Sequence, residues 1–163
     1  MHILIKNKNL LYNNYRVKCS IGKRGIGEKK KEGDLITPVG DYKIKFIMFR
    51  KDKINNIQTQ IKKFPINREM GWCNDPKSKK YNKLIHYPFK FDSEKLYRKD
   101  NIYDLILVLD YNMKPIKKNK GSAIFIHVAK RKYQSTLGCI GVKKIELLKI
   151  IKSLKKNTLV KIV

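Results

Sequence analysis

Cysteine is scarce in this chain, and long apolar runs are missing from it. Its 163 residues include three cysteines, at positions 19, 73 and 139, and no Cys-x-x-Cys pair, so neither a disulfide framework nor a zinc site is expected. No window approaches the roughly 18 uninterrupted apolar residues of a membrane-spanning helix. Residues 1–8 turn charged and polar too soon for a secretory signal peptide. Read literally, the sequence predicts a cytoplasmic protein; a place in the periplasm or cell envelope would require an unrecognised export route.

Acidic residues are also scarce: 13 Asp and Glu stand against 39 Lys and Arg, for a net charge of +26. Such a charge attracts polyanions and predicts salt-sensitive, nonspecific binding to nucleic acid. Lysine outnumbers arginine by 33 to 6 and is scattered along the chain, whereas recognition of phosphates or bases favours the planar arginine fork. Two interpretations stay open, namely compositional drift with a solvated lysine surface, or a nonenzymatic polyanion-binding module. No specific nucleic-acid partner is expected.

Apolar and polar residues alternate along much of the chain, which indicates short strands. The length and a hydrophobic content of 42% suit one domain with a packed core, spanning residues 1–163. Strands are predicted at residues 3–5, 15–21, 42–48, 103–111, 122–129 and 158–163. The expected fold is therefore mainly β, of the α+β kind, as a β-sandwich or barrel.

One convincing helix is predicted at residues 143–156, where it should pack on the sheet. Its apolar face would consist of Ile145, Leu148, Ile151 and Leu154. Residues 93–98 suggest a second, short helix with Ser93 as its N-cap. Thr-Pro-Val-Gly at residues 37–40 predicts a turn. Glycine, proline and aromatics without a period predict a long ordered loop at 71–92, of a kind that often builds binding sites.

A cysteine and a histidine have the spacing and surroundings of a catalytic pair. Cys139 follows Ser-Thr-Leu-Gly, and His127 lies twelve positions earlier, near the end of an apolar run. A cysteine attacks carbonyls as its thiolate, so it needs a neighbouring base, which imidazole supplies. Gly138 allows close approach of the backbone, so that amide N–H groups near Cys139 can stabilise an oxyanion. The residues alone leave open a buried cysteine and a hydrogen-bonded histidine without a catalytic role.

Several motifs, well separated along the chain, carry a further pattern. Residues 127–142 contain a histidine followed by Ser/Thr-x-Gly-Cys. Glu-Gly-Asp at 32–34 precedes the Thr-Pro-Val-Gly segment at 37–40. The others are Trp-Cys-Asn-Asp-Pro at 72–76 and the pairs Tyr81-Asn82, Tyr103-Asp104 and Tyr111-Asn112. Over residues 15–163 the chain resembles a short, single-domain branch of the L,D-transpeptidase catalytic domain family, a mainly β fold of cysteine acyl transferases.

The resemblance implies that Cys139 is the nucleophile and His127 its base. The donor would be a peptidoglycan stem tetrapeptide, which forms a thioester on Cys139 and loses its terminal D-Ala. An amine of another stem accepts the acyl group in an L,D-transpeptidase, whereas water accepts it in a cytosolic L,D-carboxypeptidase that recycles muropeptides. No metal or other cofactor is implied. The expected partners are stem peptides or muropeptides, and the expected oligomeric state is a monomer.

Further residues are expected to support this chemistry. Gly138 and Ser135 would position the reacting groups, although Ser135 could equally cap a turn. By resemblance, a possible substrate cleft would be lined by Trp72, Tyr81, Asn82, Tyr111 and Asn112. Core packing or turn chemistry is the alternative for each of these five.

Two positions depart from the commoner family motif. Leu137 stands where histidine is usual, and Gly141 stands where a polar residue, often Arg or Asn, is usual. Gly141 therefore offers no contact to a substrate carboxylate. No carboxylate is obviously paired with the histidine: Asp104 and Asp110 are expected to be solvent-facing charges at strand ends, and a backbone carbonyl can orient the imidazole equally well.

Overall fold

The computed structural model describes residues 2–163, and most of its strands belong to one curved sheet. The elements are β1 (His2–Lys6), β2 (Asn9–Tyr12), β3 (Tyr15–Ser20), β4 (Ile26–Gly27), β5 (Thr37–Pro38), β6 (Gly40–Phe49), β7 (Lys63–Pro65), β8 (Met70–Cys73), β9 (Leu84–His86), β10 (Ser93–Lys95), β11 (Leu105–Leu109), β12 (Phe125–Val128), β13 (Ile140–Val142), α1 (Lys144–Ser153) and β14 (Leu159–Ile162), with a 3₁₀ turn at Arg131–Tyr133. The prediction of a mainly β fold with one packed helix is confirmed.

The sheet closes on itself through β6. Nine strands hydrogen-bond in the order β11-β12-β13-β3-β2-β1-β14-β6-β7, and β6 also pairs with β11. Residues 40–43 of β6 pair with β14, and residues 44–49 pair with β11. The first part of β6 thus pairs with β14, and the rest of the strand pairs with β11. Eight strands form a barrel-like ring with β7 outside it, and closure removes the exposed edges that an open sheet would have.

Apolar side chains of alternate residues fill the inside of this ring, as the sequence pattern predicts. They include Ile3, Ile5, Leu10, Val17, Cys19, Ile47, Leu107, Ile126 and Val160. A small three-stranded sheet, in the order β10-β8-β9, contributes to a second apolar cluster. In that cluster Trp72 and Leu96 pack with Ile106, Val108 and Phe125. All five residues of β11 are buried, because this strand has an apolar layer on both faces.

The helix is shorter than predicted, and the face that it presents to the core overlaps only partly with the predicted one. Ile151 and Leu154 are buried as predicted, and Leu148 packs partly buried against the core. The buried residues of α1 are Leu147, Ile150 and Ile151, and Leu154 just beyond its end is buried too. Ile145, which was predicted to face the core, is 60% exposed. A spacing of three residues drifts around a helix that has 3.6 residues per turn, whereas positions 147, 150, 151 and 154 stay on one face. No helix within residues 2–163 has the length and apolar character needed to cross a membrane.

Three local predictions were wrong because tertiary pairing overrides local signals. Residues 93–95 form β10, which pairs with β8, and not the first turn of a helix. Thr37 and Pro38 form β5, which pairs in parallel with β4. The segment 71–92 is not a loop throughout, since it contains the end of β8 and all of β9. Strand partners that lie far away in sequence decide each case.

Candidate active site

His127 and Cys139 line the same cavity, which has a volume of about 430 Å³. His127 lies in β12, and Cys139 immediately precedes β13. The two strands pair in parallel, with His127 opposite Gly141. This pairing places the cysteine beside the strand that carries the histidine. The structure therefore brings together the two residues that the sequence selected as a pair.

A backbone carbonyl orients the His127 ring. The imidazole is buried, and its Nδ1 lies 2.9 Å from the carbonyl oxygen of Val128. A carbonyl oxygen only accepts, so Nδ1 carries the hydrogen and Nε2 of the neutral ring keeps its lone pair. Burial lowers the pKa of His127 to about 4. At neutral pH the ring is therefore uncharged and able to act as a base through Nε2.

The Cys139 sulfur is held by the backbone of β12 and the residues before it. Its Sγ accepts a hydrogen bond from the Phe125 N–H at 3.3 Å and donates to the Ala123 carbonyl at 3.4 Å. Burial, with a smaller contribution from the Glu94 carboxylate, raises the pKa of the Cys139 thiol to about 12. Together with the neutral His127, this makes the resting pair a thiol and an imidazole. A thiol in this state becomes a nucleophile only when a base removes its proton.

The turn before Cys139 is held by two threonine hydroxyls. The Thr136 hydroxyl donates to the Cys139 carbonyl at 2.6 Å and accepts from the Gly138 N–H at 3.1 Å. The Thr37 hydroxyl donates to the Gly138 carbonyl at 2.8 Å and accepts from the Gly22 N–H at 2.8 Å. Each hydroxyl thus uses its donor and its acceptor capacity at once. The backbone around Cys139 is fixed on both sides.

The backbone conformation at position 138 requires a glycine. Its φ is +143°, and a Cβ at this position would lie 2.9 Å from the Ile36 carbonyl oxygen. Because its N–H is already bonded to Thr136, Gly138 positions the turn and does not donate to an oxyanion. No hydrogen bond of the Cys139 N–H is found within residues 2–163, so that group remains available as a donor beside the thiol.

Ser135 does not take the position that was predicted for it. It is exposed and does not line the cavity, whereas its neighbour Thr136 is buried and does. Of the two alternatives given for Ser135, a position beside the cavity is therefore not the one observed, and Thr136 lies there instead. Ser135 and Thr136 are neighbours in the Ser-Thr-Leu-Gly-Cys segment. The sequence therefore indicated a hydroxyl near Cys139 but not which of the two residues supplies it.

A protein-family model described as the L,D-transpeptidase catalytic domain (YkuD) matches residues 1–162. The chain belongs to this family. Its members are in general cysteine-dependent enzymes, and the domain implies a peptidoglycan substrate. A comparison with curated protein sequences found no match. The resemblance that the separated motifs carry is thus confirmed over nearly the whole chain.

The two departures from the usual L,D-transpeptidase motif have different surroundings. Leu137 is 76% exposed and lies at the edge of the cavity. Gly141 is buried in β13, where a Cβ would come too close to the Ser20 Oγ and lie 3.0 Å from the Ala129 Cα. A side chain at position 141 therefore does not fit beside Ser20. In this L,D-transpeptidase domain, a contact to substrate from that position is closed by packing.

The five predicted cleft residues do not line the cavity of this domain. Asn82 accepts from the Trp72 indole N–H at 3.0 Å and donates to the carbonyls of Tyr111 and Asn112 at 3.1 and 2.8 Å. Asn82 and Asn112 have φ values of +56° and +49°, which asparagine tolerates better than most residues. The Tyr81 hydroxyl donates to the Glu32 carboxylate. These residues form a hydrogen-bonded support beside the cavity, which agrees with the alternative of core packing and turn chemistry.

Several charged and aromatic residues of the cavity were not selected from the sequence. The Tyr103 ring lies edge-on to the His127 ring, with centroids 5.5 Å apart, and its hydroxyl donates to Glu94 Oε1 at 2.6 Å. Burial raises the pKa of Glu94. Glu32 accepts from the hydroxyls of Tyr81 and Ser122. Glu32 and Tyr103 did stand in motifs of the resemblance, whereas nothing in the sequence distinguished Glu94.

The two aspartates considered as partners for His127 lie elsewhere. Asp104 was expected to face solvent, but it is buried and forms ion pairs with Lys53 at 3.1 Å and Lys144 at 3.0 Å. Asp110 is partly exposed and accepts from the Lys43 N–H at 2.8 Å. Within residues 2–163, no three His, Cys, Asp or Glu side chains are grouped so that they could hold a metal ion.

Proposed function

We propose that this domain cleaves the peptide bond before a terminal D-Ala of a peptidoglycan stem peptide, through a thioester on Cys139. The observation that carries the proposal is the shared cavity of Cys139 and His127, in which the imidazole presents an unprotonated Nε2. A thiol and a neutral base beside a cavity of about 430 Å³ suit acyl transfer from a peptide-sized donor. Membership of the family supplies the substrate class.

The first half of the reaction forms the thioester. His127 Nε2 takes the proton of Cys139 Sγ as the sulfur attacks the carbonyl carbon of the scissile bond. The N–H of Cys139 donates to the oxyanion of the tetrahedral intermediate. When the intermediate collapses, the C–N bond breaks and the imidazolium gives its proton to the departing D-Ala amine. The acyl group stays on sulfur, and the imidazole is neutral again.

The second half transfers the acyl group. An acceptor enters the cavity, and His127 removes a proton from it. The deprotonated acceptor then attacks the carbonyl carbon of the thioester. The C–S bond breaks, and the thiolate is reprotonated by His127. An amine of a second stem peptide as acceptor gives a cross-link, the L,D-transpeptidase reaction. The pair needs no change of geometry between the two halves, since the same Nε2 serves both.

A second acceptor, water, is favoured by one observation. A cavity of about 430 Å³ lies toward the small end of the range for sites that hold one small ligand, whereas cross-linking must seat two stem peptides. With water as acceptor the product is a tripeptide, and the protein is an L,D-carboxypeptidase.

One incubation separates the two acceptors. Purified protein is mixed with a disaccharide–tetrapeptide, and products are followed by mass spectrometry beside the Cys139→Ala variant. A cross-linked dimer lacking one D-Ala supports the transpeptidase, and tripeptide alone supports the carboxypeptidase. Substrate that stays intact with the wild type, or equal turnover by Cys139→Ala, would contradict the proposed function. Intact substrate together with salt-sensitive polyanion binding would favour the nonenzymatic alternative.

A further inference from the structure

A substrate that ends in D-Ala brings a free carboxylate into the cavity, close to the scissile bond. This inference therefore rests on the proposed function. Two carboxyl groups of the protein, those of Glu32 and Glu94, already line the cavity. They disfavour a further negative charge unless a cation compensates for it. The cavity must then contain a positive group that is free to bind the substrate carboxylate.

Three cationic residues line the cavity, and two of them are poorly suited to this role. Lys29 Nζ donates to Asp34 Oδ1 at 2.5 Å and to the Ile36 carbonyl at 3.4 Å, and its side chain is only 4% exposed. Its ammonium is therefore buried among its own partners and is not accessible to a ligand. Lys130 is exposed, and within residues 2–163 no hydrogen bond fixes its ammonium. A solvent-exposed ammonium that no contact holds in place contributes little to the affinity or selectivity for a carboxylate.

The third cation, Arg98, is fixed along one edge and open along the other. Its Nε and Nη2 donate to the Asp100 carboxylate at 2.9 and 2.6 Å, and its guanidinium lies over the Tyr103 ring at 5.4 Å. That ring is the one packed edge-on to His127. The side chain of Arg98 is 34% exposed. Within residues 2–163, its Nη1 has no hydrogen-bond partner.

The free edge of this guanidinium has the geometry that a carboxylate needs. Nη1 and the second N–H of Nη2 point the same way from the planar group, and such a pair binds two carboxylate oxygens at once. Asp100 and Tyr103 hold the plane in place, so little side-chain entropy is lost on binding. The position through which the family usually contacts substrate, Gly141, is closed by Ser20.

We propose that Arg98 binds the terminal carboxylate of the substrate and thereby selects peptides with a free C-terminus. Asp100 and Tyr103 act as positioning residues for the guanidinium. The enzyme would in this way distinguish a stem peptide that ends in D-Ala from one whose terminus is amidated or extended. Arg98 is then a specificity-determining residue, separate from the pair that performs the chemistry.

The test compares two substrates on each enzyme. kcat/KM is measured for a tetrapeptide ending in D-Ala and for the same peptide ending in D-alaninamide, with the wild type, Arg98→Gln, Arg98→Lys and the control Arg16→Gln, which changes an exposed arginine of β3 outside the cavity. The wild type and Arg16→Gln should prefer the free carboxylate, and in Arg98→Gln the ratio of the two kcat/KM values should fall ~10- to 100-fold. Arg98→Lys should keep part of it, because the charge remains without the fork.

Using both substrates on one protein sample separates recognition from folding. A partly unfolded variant loses activity on both peptides equally, so the ratio of the two kcat/KM values is unaffected. A wild type without preference, or an Arg98→Gln variant that keeps the full preference, would overturn the role of Arg98 while leaving the proposed function intact. A wild type that cleaves neither peptide would overturn both.

Discussion

The hydroxyl of Thr37 donates a 2.8 Å hydrogen bond to the carbonyl of Gly138, a residue 101 positions later in the chain. Thr37 lies in β5, and Gly138 immediately precedes Cys139, the proposed nucleophile. The contact thus joins the Thr-Pro-Val-Gly segment to the turn before Cys139. Both groups are buried, so the bond forms out of contact with water. Two motifs that look independent in the sequence are parts of one structural unit.

Replacing Thr37 should damage both stability and activity. Thr37→Ala leaves the buried Gly138 carbonyl and Gly22 N–H without their partner, which costs about 1–3 kcal/mol for each unsatisfied group. Thr37→Ser keeps the hydroxyl and should stay close to the wild type. The measurements are urea unfolding and kcat/KM on the tetrapeptide. A Thr37→Ala variant equal to the wild type in both would show that this hydrogen bond does not hold the turn.

Replacing Asn82 should act on stability more than on substrate affinity. Asn82→Ala removes three hydrogen bonds, to Trp72, Tyr111 and Asn112, and should lower the free energy of unfolding by about 2–4 kcal/mol. KM should change little, since Asn82 does not line the cavity. Asn13→Ala is a matched control, because Asn13 has a similar φ of +51° but is exposed.

The Asn82 result also decides between the two interpretations of the five predicted cleft residues. A large rise in KM, with unchanged urea unfolding, would mean that Asn82 contacts substrate after all. Unfolding at a lower urea concentration, with KM retained in the folded fraction, would establish the supporting role.

The pH dependence of kcat/KM should show an unusually low acidic limb. His127 has to be neutral to accept a proton, and burial lowers its pKa to about 4. Activity should therefore hold as pH falls through 6.5, the ordinary value for histidine, and should decline only near 4. No alkaline loss from thiol ionisation is expected near neutrality, because the pKa of Cys139 is raised to about 12.

A different pH profile would contradict this prediction. A decline centred near 6.5 in the free enzyme would mean that His127 is hydrated and charged more readily than its buried position implies. Circular dichroism recorded at each pH distinguishes the protonation of His127 from acid unfolding.

The sequence predicted well those features that depend on periodicity along the chain. Alternation located β3 and β6, and continuous apolar runs located β11 and β12, because burial on one or both faces leaves that pattern directly in the residues. Cys139 and His127 were selected because the reactivity of a thiol and the basicity of an imidazole follow from the residue types alone. These features need no knowledge of distant partners.

The remaining features depend on contacts between distant segments. Residues 93–95 become a strand only because β8 lies beside them, and Thr37 holds the turn before Cys139 only through its hydrogen bond to Gly138. Arg98 reaches the cavity through its stacking on Tyr103. No local pattern carries this information, so most of the cavity lining was not predicted, although His127 and Cys139 do line the same cavity.

The central claim is that Cys139 carries the acyl group, and trapping that intermediate tests it most directly. The protein is mixed with the tetrapeptide, quenched in acid within the first turnovers, and measured by intact-protein and peptide mass spectrometry. We predict an adduct of the donor minus D-Ala on the peptide that contains Cys139, absent in Cys139→Ala and formed far more slowly in His127→Gln. Turnover of the tetrapeptide by Cys139→Ala, or an adduct on Cys19 or Cys73 instead, would contradict the account.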